Sequence, residues 1–272
     1  MKRPLYSIDD EEFMTLLERT GEVLRARSIP YIFVGGVATQ AHIVNYLCQK
    51  REGTTIYGLS HDHDFRIQDH LRATDDADIT LDTRRISDNS QDVKVHQELI
   101  ESLRDIEGEG DYISPTGDHL VSIKLERSGA KRPVFRLGLD RDADSPDSEV
   151  SLNFYYGPED TNNRWPKEMA DFERANYYDF FNTVQNLSIP FSPGKNVNLL
   201  VKGVEQLLAT KIARAREKDW TDILLLYRHS NESGKPINMS EIERLLSAED
   251  SRYHTSNLVL LDRFDRFRNL VK

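Results

Sequence analysis

Two short stretches of the chain carry residue types that could do chemistry together. The apolar run 31–34 (YIFV) leads into Gly35 and Gly36, and the polar run 72–82 holds Asp76 and Asp78. Adjacent glycines after a strand predict a tight turn into a helix whose bare N–H groups can approach a phosphate. Residues two apart on a strand point to one face, and neighbouring carboxylates repel unless a divalent cation lies between them. The pairing predicts Mg²⁺, or Mn²⁺ in its place, bound with a nucleoside triphosphate.

The elements around these stretches follow from hydrophobic spacing. Helices are expected at about 8–27, with Ser7 as N-cap, then at 36–48 and 92–106. Strands are expected at 31–34, at 76–82, within 112–139, at 149–157 and near 178–187. Two further helices are expected at 240–248, with Ser240 as the cap of a capping box, and at 254–270. His42 falls in the glycine-led helix, where it could face substrate or simply be packed.

Composition narrows the class of protein. A chain of 272 residues with 38% hydrophobic residues can bury a core and is long enough for two domains. The net charge of −10 and pI near 5.3 argue against a protein that binds nucleic acid through its overall electrostatic field. A single cysteine, Cys48, excludes an intrachain disulfide, and the sequence has no apolar run near the roughly 18 residues that span a bilayer. With no apolar signal core near the start, a cytoplasmic protein is expected.

The order of these motifs resembles the nucleotidyltransferase superfamily, which has the fold of DNA polymerase beta. That family carries a Gly-Gly or Gly-Ser pair that opens a helix and then an Asp-x-Asp on the next strand, often preceded by Arg-x-Thr or Arg-x-Ser. In this chain Gly35-Gly36, Arg72-Ala-Thr74 and Asp76-Ala-Asp78 match that pattern in order. The resemblance implies an α+β fold with a mixed sheet flanked by helices. It also implies a nucleotidyltransferase-like domain at 1–192 and a helical domain at 193–272.

One position departs from the family pattern. Relatives often carry a third carboxylate on a later strand, as metal ligand or base, and alignment on Gly157 places it at Asn153. An amide can coordinate a cation weakly but cannot accept a proton. Glu149, or an acid from another strand, could substitute for it.

The C-terminal part resembles the bacterial type IV abortive-infection toxins of the same superfamily. Members carry a lysine in one helix and a Lys-Asp-x-x-Asp element opening the next, which Lys211 and the run Lys218-Asp219-Trp-Thr-Asp222 match. Lys211, Arg214 and Lys218 recur at three- and four-residue steps, so they are expected on one helical surface as a cationic stripe for the triphosphate. Asp219 and Asp222 are expected to orient these cations, although an ordinary solvated face is the other interpretation.

Together these residues imply one reaction. Asp76 and Asp78 hold Mg²⁺, Gly35, Gly36, Arg72 and Lys211 stabilise phosphates, and Thr74 orients the loop or touches a phosphate. An acceptor hydroxyl would attack the α-phosphorus and release pyrophosphate. The toxin resemblance implies a tRNA end or a protein side chain as acceptor, and an antitoxin protein as partner.

Several alternatives stay open on the sequence alone. His61 and His63 could bind a metal, or lie in a polar loop over the site. The acidic run 140–149 is read as a solvated turn rather than a calcium loop. Arg263, Arg266 and Arg268 could contact RNA or be ordinary helix charges. The whole chain could also be a catalytically inactive nucleotide-binding protein, or an interaction module with an incidental Asp-x-Asp.

Overall fold

The computed structural model describes residues 5–82, 84, 98–99, 101–127, 133–139, 148–158, 167–247 and 254–272. The expected α+β class is confirmed, because eight strands form one mixed sheet with helices packed around it. Residues 140–147 of the acidic run 140–149, and residues 92–97 of the predicted helix 92–106, lie outside the described residues.

The strands are β1 (Tyr31–Val34), β2 (Asp76–Leu81), β3 (Gly108–Ile113), β4 (Leu120–Arg127), β5 (Val134–Leu139), β6 (Ser148–Tyr155), β7 (Gln185–Ser192) and β8 (Lys195–Val201). Their order in the sheet is β3-β4-β5-β6-β2-β1-β8-β7. The pairs β2–β6 and β1–β8 are parallel, and the other neighbours are antiparallel. The strands β1 and β2, which carry the Gly-Gly turn and the Asp-x-Asp motif, therefore lie in the middle of the sheet.

The helices are α1 (Glu11–Ala26), α2 (Gly35–Lys50), α3 (Ile56–Ser60), α4 (Lys167–Asn176), α5 (Val204–Arg214), α6 (Glu217–Glu232), α7 (Met239–Leu246) and α8 (His254–Leu270). Helix α2 packs against α6, while α5 contacts α4, α6, α7 and α8. Among the described residues, no helix combines the length and apolar character needed to cross a bilayer.

Two predicted helix caps are wrong. Helix α1 begins at Glu11 with Asp10 at the N-cap, and the backbone N–H of Ser7 instead donates to the Asp10 carboxylate (2.6 Å). Helix α7 begins one residue before Ser240, and the side chain of Asn238 caps it by accepting from the N–H of Glu241 (3.2 Å). In both cases a nearby Asp or Asn, an equally good cap, takes the position.

One predicted strand is displaced. The region 178–187 begins with a 3₁₀ turn, Asp179–Thr183, and β7 begins only at Gln185. Phe180 is buried in this turn, so apolar residues there pack without forming a ladder. The strand β8, C-terminal to the expected boundary at 192, lies inside the sheet between β1 and β7. The division into two domains stays a prediction.

Candidate active site

The Asp-x-Asp carboxylates and Asn153 come together at the centre of the sheet. Asp78 lies directly opposite Val34 on β1 and Asn153 on β6, and Asp76 lies on the same face two residues earlier. The side-chain amide Nδ2 of Asn153 donates to Asp76 Oδ2 and to Asp78 Oδ1, each at 2.9 Å. The amide thus bridges the two carboxylates that the sequence predicted to share a cation.

The remaining contacts of the two carboxylates come from neutral donors. The Thr74 hydroxyl donates to Asp76 Oδ1 (2.9 Å), and the Tyr155 hydroxyl donates to Asp78 Oδ1 (3.2 Å). Burial, and then the charge of Asp78, raise the pKa of Asp76 above its usual value. Asp76 therefore lies in a setting that disfavours its negative charge.

The turn that follows β1 requires glycine at its first position. Gly35 has φ +61°, and a Cβ there would lie 2.6 Å from Asp78 Oδ2. A Cβ on Gly36 would lie 3.2 Å from the Thr74 hydroxyl. The first turn of α2 has no side-chain cap, and both glycines line the cleft. This end of α2 can accept an anion.

The segment that holds Arg72 and Thr74 is fixed from two sides. Backbone hydrogen bonds join Tyr6 and Thr74 in both directions, each at 2.7 Å. The side chain of Gln40 on α2 accepts from the N–H of Ile8 (2.7 Å) and donates to the carbonyl of Arg72 (3.1 Å). The Arg-x-Thr motif is therefore clamped between the N-terminal segment and the glycine-led helix.

The cations on α5 and α6 lie on two helices, not on one surface as predicted. Helix α5 ends at Arg214 because Ala215 adopts a left-handed backbone (φ 49°), and Lys218 belongs to α6. The carboxylate of Asp222 binds Lys211 (Nζ–Oδ2 2.7 Å) and both Nε and NH2 of Arg72 (2.9 and 3.0 Å). The role predicted for Asp222, orienting the cations, matches these contacts.

A second carboxylate holds the next pair of cations. Asp219 is fully buried and accepts from Nε of Arg214 and Nε of Arg216, both at 2.9 Å. Burial alone would raise the pKa of Asp219, but the hydrogen bonds from Arg214 and Arg216 hold it well below its usual range. Asp219 therefore fixes the positions of the Arg214 and Arg216 side chains through these hydrogen bonds.

Lys211 and Lys218 differ in what they can reach. Lys211 is fully buried, and burial lowers its pKa to about 8 against the opposing effect of Asp222. Lys218 is exposed at the mouth of the cleft and makes no ion pair with a described residue. Of the two predicted phosphate-binding lysines, Lys218 has its ammonium group available to a ligand.

These groups surround one open cleft of about 440 Å³. Eight of the ten predicted site residues line it: Gly35, Gly36, Arg72, Thr74, Asp76, Asp78, Asn153 and Lys218. Lys211 lines an adjoining inner chamber, and Asp219 lies behind the arginines. The volume falls in the range of small-molecule sites.

Sequence reasoning missed three residues of this region. Tyr155 lies two residues beyond Asn153 on the same face of β6, so the strand period could have found it. Arg216 lines the cleft, and Lys202 lines the inner chamber. Lys202 directly follows the apolar strand β8, and a lysine is rarely buried without a partner, so its position was a signal that the sequence offered.

The other candidate residues take structural positions. His42 is fully buried, its Nε2 lies 2.8 Å from the carbonyl oxygen of Lys202, and burial lowers its pKa to about 4. Glu149 is four residues before Asn153 on β6 and is paired at 3.9 Å with Arg136, so it does not replace the missing carboxylate.

The histidines of the polar loop do not form a metal site. His61 and His63 are exposed, and His61 Nδ1 lies 2.8 Å from the carbonyl oxygen of Tyr57. In the part of the chain that the structure describes, no group of three or more His, Cys, Asp or Glu side chains is arranged to hold a metal ion.

The C-terminal arginines make contacts within the chain. Arg263 donates to the carbonyl of Ala213, Arg266 lies over the ring of Trp220, and Arg268 pairs with Asp265. These contacts fit ordinary helix charges, the second of the two interpretations.

No protein-family model matches the chain, and no curated protein matches it. Three solved structures align with most of it. The antibiotic-resistance factor ANT(2'')-Ia aligns at 14% identity over 90% of this chain and 96% of its own, with a TM-score of 0.36. JHP933 from Helicobacter pylori aligns at 12% identity over 93% and 87%, with a TM-score of 0.35.

A further H. pylori structure, of a protein to which nucleotidyltransferase activity is attributed, aligns at 13% identity over 94% of this chain and 92% of its own, with a TM-score of 0.36. Similarity this low does not transfer an activity between proteins. The function is therefore inferred from the residues of the site.

Proposed function

We propose that the protein is a Mg²⁺-dependent nucleotidyltransferase, which moves a nucleoside monophosphate from a nucleoside triphosphate to an acceptor hydroxyl. The observation that carries this proposal is the convergence of Asp76 and Asp78 with the uncapped first turn of α2 in one cleft. Cations from α5 and α6 line the same cleft. Acidic metal ligands beside anion-binding groups are what a metal-bound triphosphate requires.

The donor set fits a magnesium ion. Carboxylate oxygens are the ligands that Mg²⁺ prefers, and Asp76 and Asp78 converge on one donor group, the Asn153 amide. The amide oxygen of Asn153 is buried and has no hydrogen-bond partner among the described residues. Asp76 and Asp78 would hold the ion, which when bound would neutralise charge on the triphosphate.

The chain's own groups divide the remaining work. Backbone N–H groups of the Gly35–Gly36 turn and the side chains of Arg72, Arg216 and Lys218 bind the phosphates. Asp222 and Asp219 fix the cations so that little side-chain freedom is lost on binding. The acceptor oxygen bonds to the α-phosphorus and its hydroxyl proton passes to solvent, while the bond from that phosphorus to pyrophosphate breaks and pyrophosphate leaves.

Asn153 favours a second candidate function. Its amide donates to both carboxylates and so occupies the position between them with a neutral group. An amide cannot take the proton of an attacking hydroxyl. A catalytically inactive nucleotide-binding protein, which retains the cleft but lacks the base, is therefore the alternative that this geometry supports.

The finer assignments rest on the sequence resemblance. The toxin-like run from Lys211 to Asp222 supports a tRNA end or a protein side chain as acceptor, and an antitoxin as partner. Cytoplasmic location accords with such a partner. These remain proposals that follow from the motif.

The test measures pyrophosphate release and transfer of label from each of the four α-labelled nucleotides. Asp76→Ala and Asp78→Ala should each lose at least about 10³-fold in transfer, since both carboxylates hold the charge-neutralising ion. Asp118→Ala, an exposed acid between β3 and β4, is the matched control and should leave transfer unchanged.

The two candidate functions give different results in this assay. Wild-type protein that binds nucleotide with Mg²⁺ but transfers no label supports the inactive-protein alternative. Equal transfer by wild type and both aspartate variants would remove these carboxylates from the mechanism.

A further inference from the structure

A second, inner chamber adjoins the open cleft on the side of Asp78 that faces α4 and α5. It shares Gly35, Asp78, Tyr155 and Arg214 with the cleft, so the two spaces connect at the proposed metal site. Its own walls combine the apolar or aromatic side chains of Met169, Tyr177 and Leu207 with the charged groups of Glu173 and Lys202. The apolar and aromatic walls can contact a flat ring, and the charged groups can bind its polar edge.

Lys202 lies at one end of this chamber. Its backbone N–H donates to the carbonyl of Phe33, which places it beside Val34, and Val34 lies opposite Asp78. The backbone of Lys202 is thus two strands from that of Asp78 across the sheet, roughly 10 Å at the usual strand spacing.

The ammonium group of Lys202 is buried and incompletely satisfied. The residue is 2% exposed, and burial lowers its pKa. Its Nζ donates to the Thr210 hydroxyl (3.1 Å) and lies 3.5 Å from the ring centroid of Phe180. The nearest carboxylate oxygen, on Glu173, is 3.7 Å away, which is beyond hydrogen-bond range.

A buried ammonium group of this kind is costly for stability. Replacing a buried ion pair with apolar residues of similar volume is often neutral or stabilising, so packing does not explain the pair. Lys202 supplies only donors and Glu173 only acceptors, and both line the chamber. A ligand edge that carries an acceptor beside a donor would complete the hydrogen bonds of both.

We propose that the inner chamber binds the base of the nucleotide, and that Lys202 and Glu173 determine which base is preferred. This inference rests on the proposed nucleotide-binding function. Lys202 donates to a ring carbonyl or ring nitrogen of the base, and Glu173 accepts from its amino or imino N–H. The phosphates stay in the outer cleft with Arg72, Arg216 and Lys218.

The walls must adjust when a ring enters. The chamber measures about 50 Å³, room for a few water molecules but less than a nucleobase needs. Met169 forms part of the wall, and its unbranched side chain can change rotamer at low cost. Entry of the ring also separates Lys202 from Glu173, so each gains a ligand contact in place of a long ion pair.

The test compares ligands that contain a base with one that does not. Calorimetry with Mg²⁺ measures the affinity of the protein for inorganic tripolyphosphate and for non-hydrolysable analogues of the four nucleoside triphosphates. Wild type should bind its preferred nucleotide at least about tenfold more tightly than tripolyphosphate, as one or more charge-assisted hydrogen bonds supply. Tripolyphosphate occupies only the outer cleft.

Two variants examine the pair separately. Lys202→Met should weaken binding of the preferred nucleotide about tenfold or more while tripolyphosphate affinity stays within about twofold. Glu173→Gln keeps the side-chain volume but replaces an acceptor-only carboxylate with an amide that also donates. It should therefore change the order of preference among the four bases. Lys195→Met, on the same strand β8, is the matched control and should match wild type in both measurements.

The outcomes separate failure of this inference from failure of the proposed function. If wild type binds tripolyphosphate and nucleotides equally, or if Glu173→Gln leaves the base preference intact, the base-binding role is wrong while nucleotide binding stands. A parallel loss of both ligands in Lys202→Met also contradicts it. If wild type binds neither ligand, the proposed function itself fails.

Discussion

The acidic and cationic sides of the cleft satisfy their charges in opposite ways. On the cationic side, Lys211, Arg72, Arg214 and Arg216 all find carboxylate partners within about 3 Å, on Asp222 or Asp219. On the acidic side, Asp76 and Asp78 receive hydrogen bonds only from neutral side chains among the described residues. Two carboxylates thus hold four cations in hydrogen-bonded ion pairs, whereas no described cation is hydrogen-bonded to Asp76 or Asp78.

This difference teaches which side depends on a ligand. Asp76 and Asp78 accept hydrogen bonds from neutral groups but form no ion pair among the described residues. Their negative charges therefore repel each other, and a divalent ion would remove this repulsion. The paired cations need no ligand to be stable, and they are held in place before one arrives. The cleft is therefore prearranged on its cationic side and electrostatically incomplete on its acidic side.

The largest expected effect comes from breaking the paired side. Asp222→Ala leaves the buried Lys211 and Arg72 without their shared carboxylate, so the free energy of unfolding should fall by about 3–5 kcal/mol. Glu241→Ala removes an exposed pair with Arg244 and should cost about 1 kcal/mol or less. Urea denaturation measures both. Equal losses would show that the buried network carries no special weight.

The next largest effect concerns His229, whose protonation at acid pH would disturb its contact with His70, two residues before Arg72. His70 Nδ1 lies 3.1 Å from His229 Nε2 on α6, where Glu232, Arg228 and Lys50 are the nearby charges. Burial, and then His70, lower the pKa of His229 to about 4. Because the unfolded histidine titrates near 6.5, the unfolded chain binds the proton first, and stability is lost as pH falls from about 6.5 to 4.

The acid sensitivity attributable to His229 is about 3 kcal/mol at most. In His229→Gln, the loss of unfolding free energy between pH 7 and pH 4.5 should be smaller than in wild type by about 2 kcal/mol. His61→Gln, at an exposed position, should keep the wild-type profile. Parallel profiles for all three proteins would show that the buried histidine does not contribute.

A third change sharpens the contrast on the acidic side. Asn153→Asp replaces two hydrogen-bond donors with a third negative charge, so the metal-free protein should lose about 2 kcal/mol of stability. Mg²⁺ should restore more stability to this variant than to wild type, because it gains a ligand. Thermal melts with and without Mg²⁺ measure this, and an identical response of both proteins would contradict it.

The smallest effect is a gain. Asp76→Asn removes one of two repelling charges and keeps the side-chain shape, so the metal-free protein should become about 1 kcal/mol more stable at pH 7. The raised pKa of Asp76 gives the sign, because the folded state disfavours the ionised form. A loss of stability in urea denaturation would mean that the carboxylate is already compensated.

Local patterns predicted the parts of the site that depend on local geometry. The Gly-Gly turn and the two-residue spacing of Asp76 and Asp78 fix their positions through one strand and one turn each. Asn153 came from alignment of the family pattern on Gly157, and the parallel pairing of β2 with β6 brings it opposite Asp78. The α+β class, which the structure confirms, likewise came from the family resemblance.

Features that depend on distant contacts were not predictable. The contact of Arg72 with Asp222 joins residues 150 positions apart, and no local pattern encodes it. The break at Ala215 uses a left-handed conformation at a residue that rarely adopts one, so the three cations were expected on one helix. Glu173 gave no signal, since a glutamate on an amphipathic helix is usually exposed.

The most direct measurement of the account is a calorimetric titration of Mg²⁺ with a non-hydrolysable nucleoside triphosphate into wild type and into Asp76→Asn/Asp78→Asn. The account predicts that wild type binds the nucleotide only when Mg²⁺ is present, and that the double variant loses this dependence and binds at least about 100-fold more weakly. Equal binding by both proteins, with or without Mg²⁺, would contradict it.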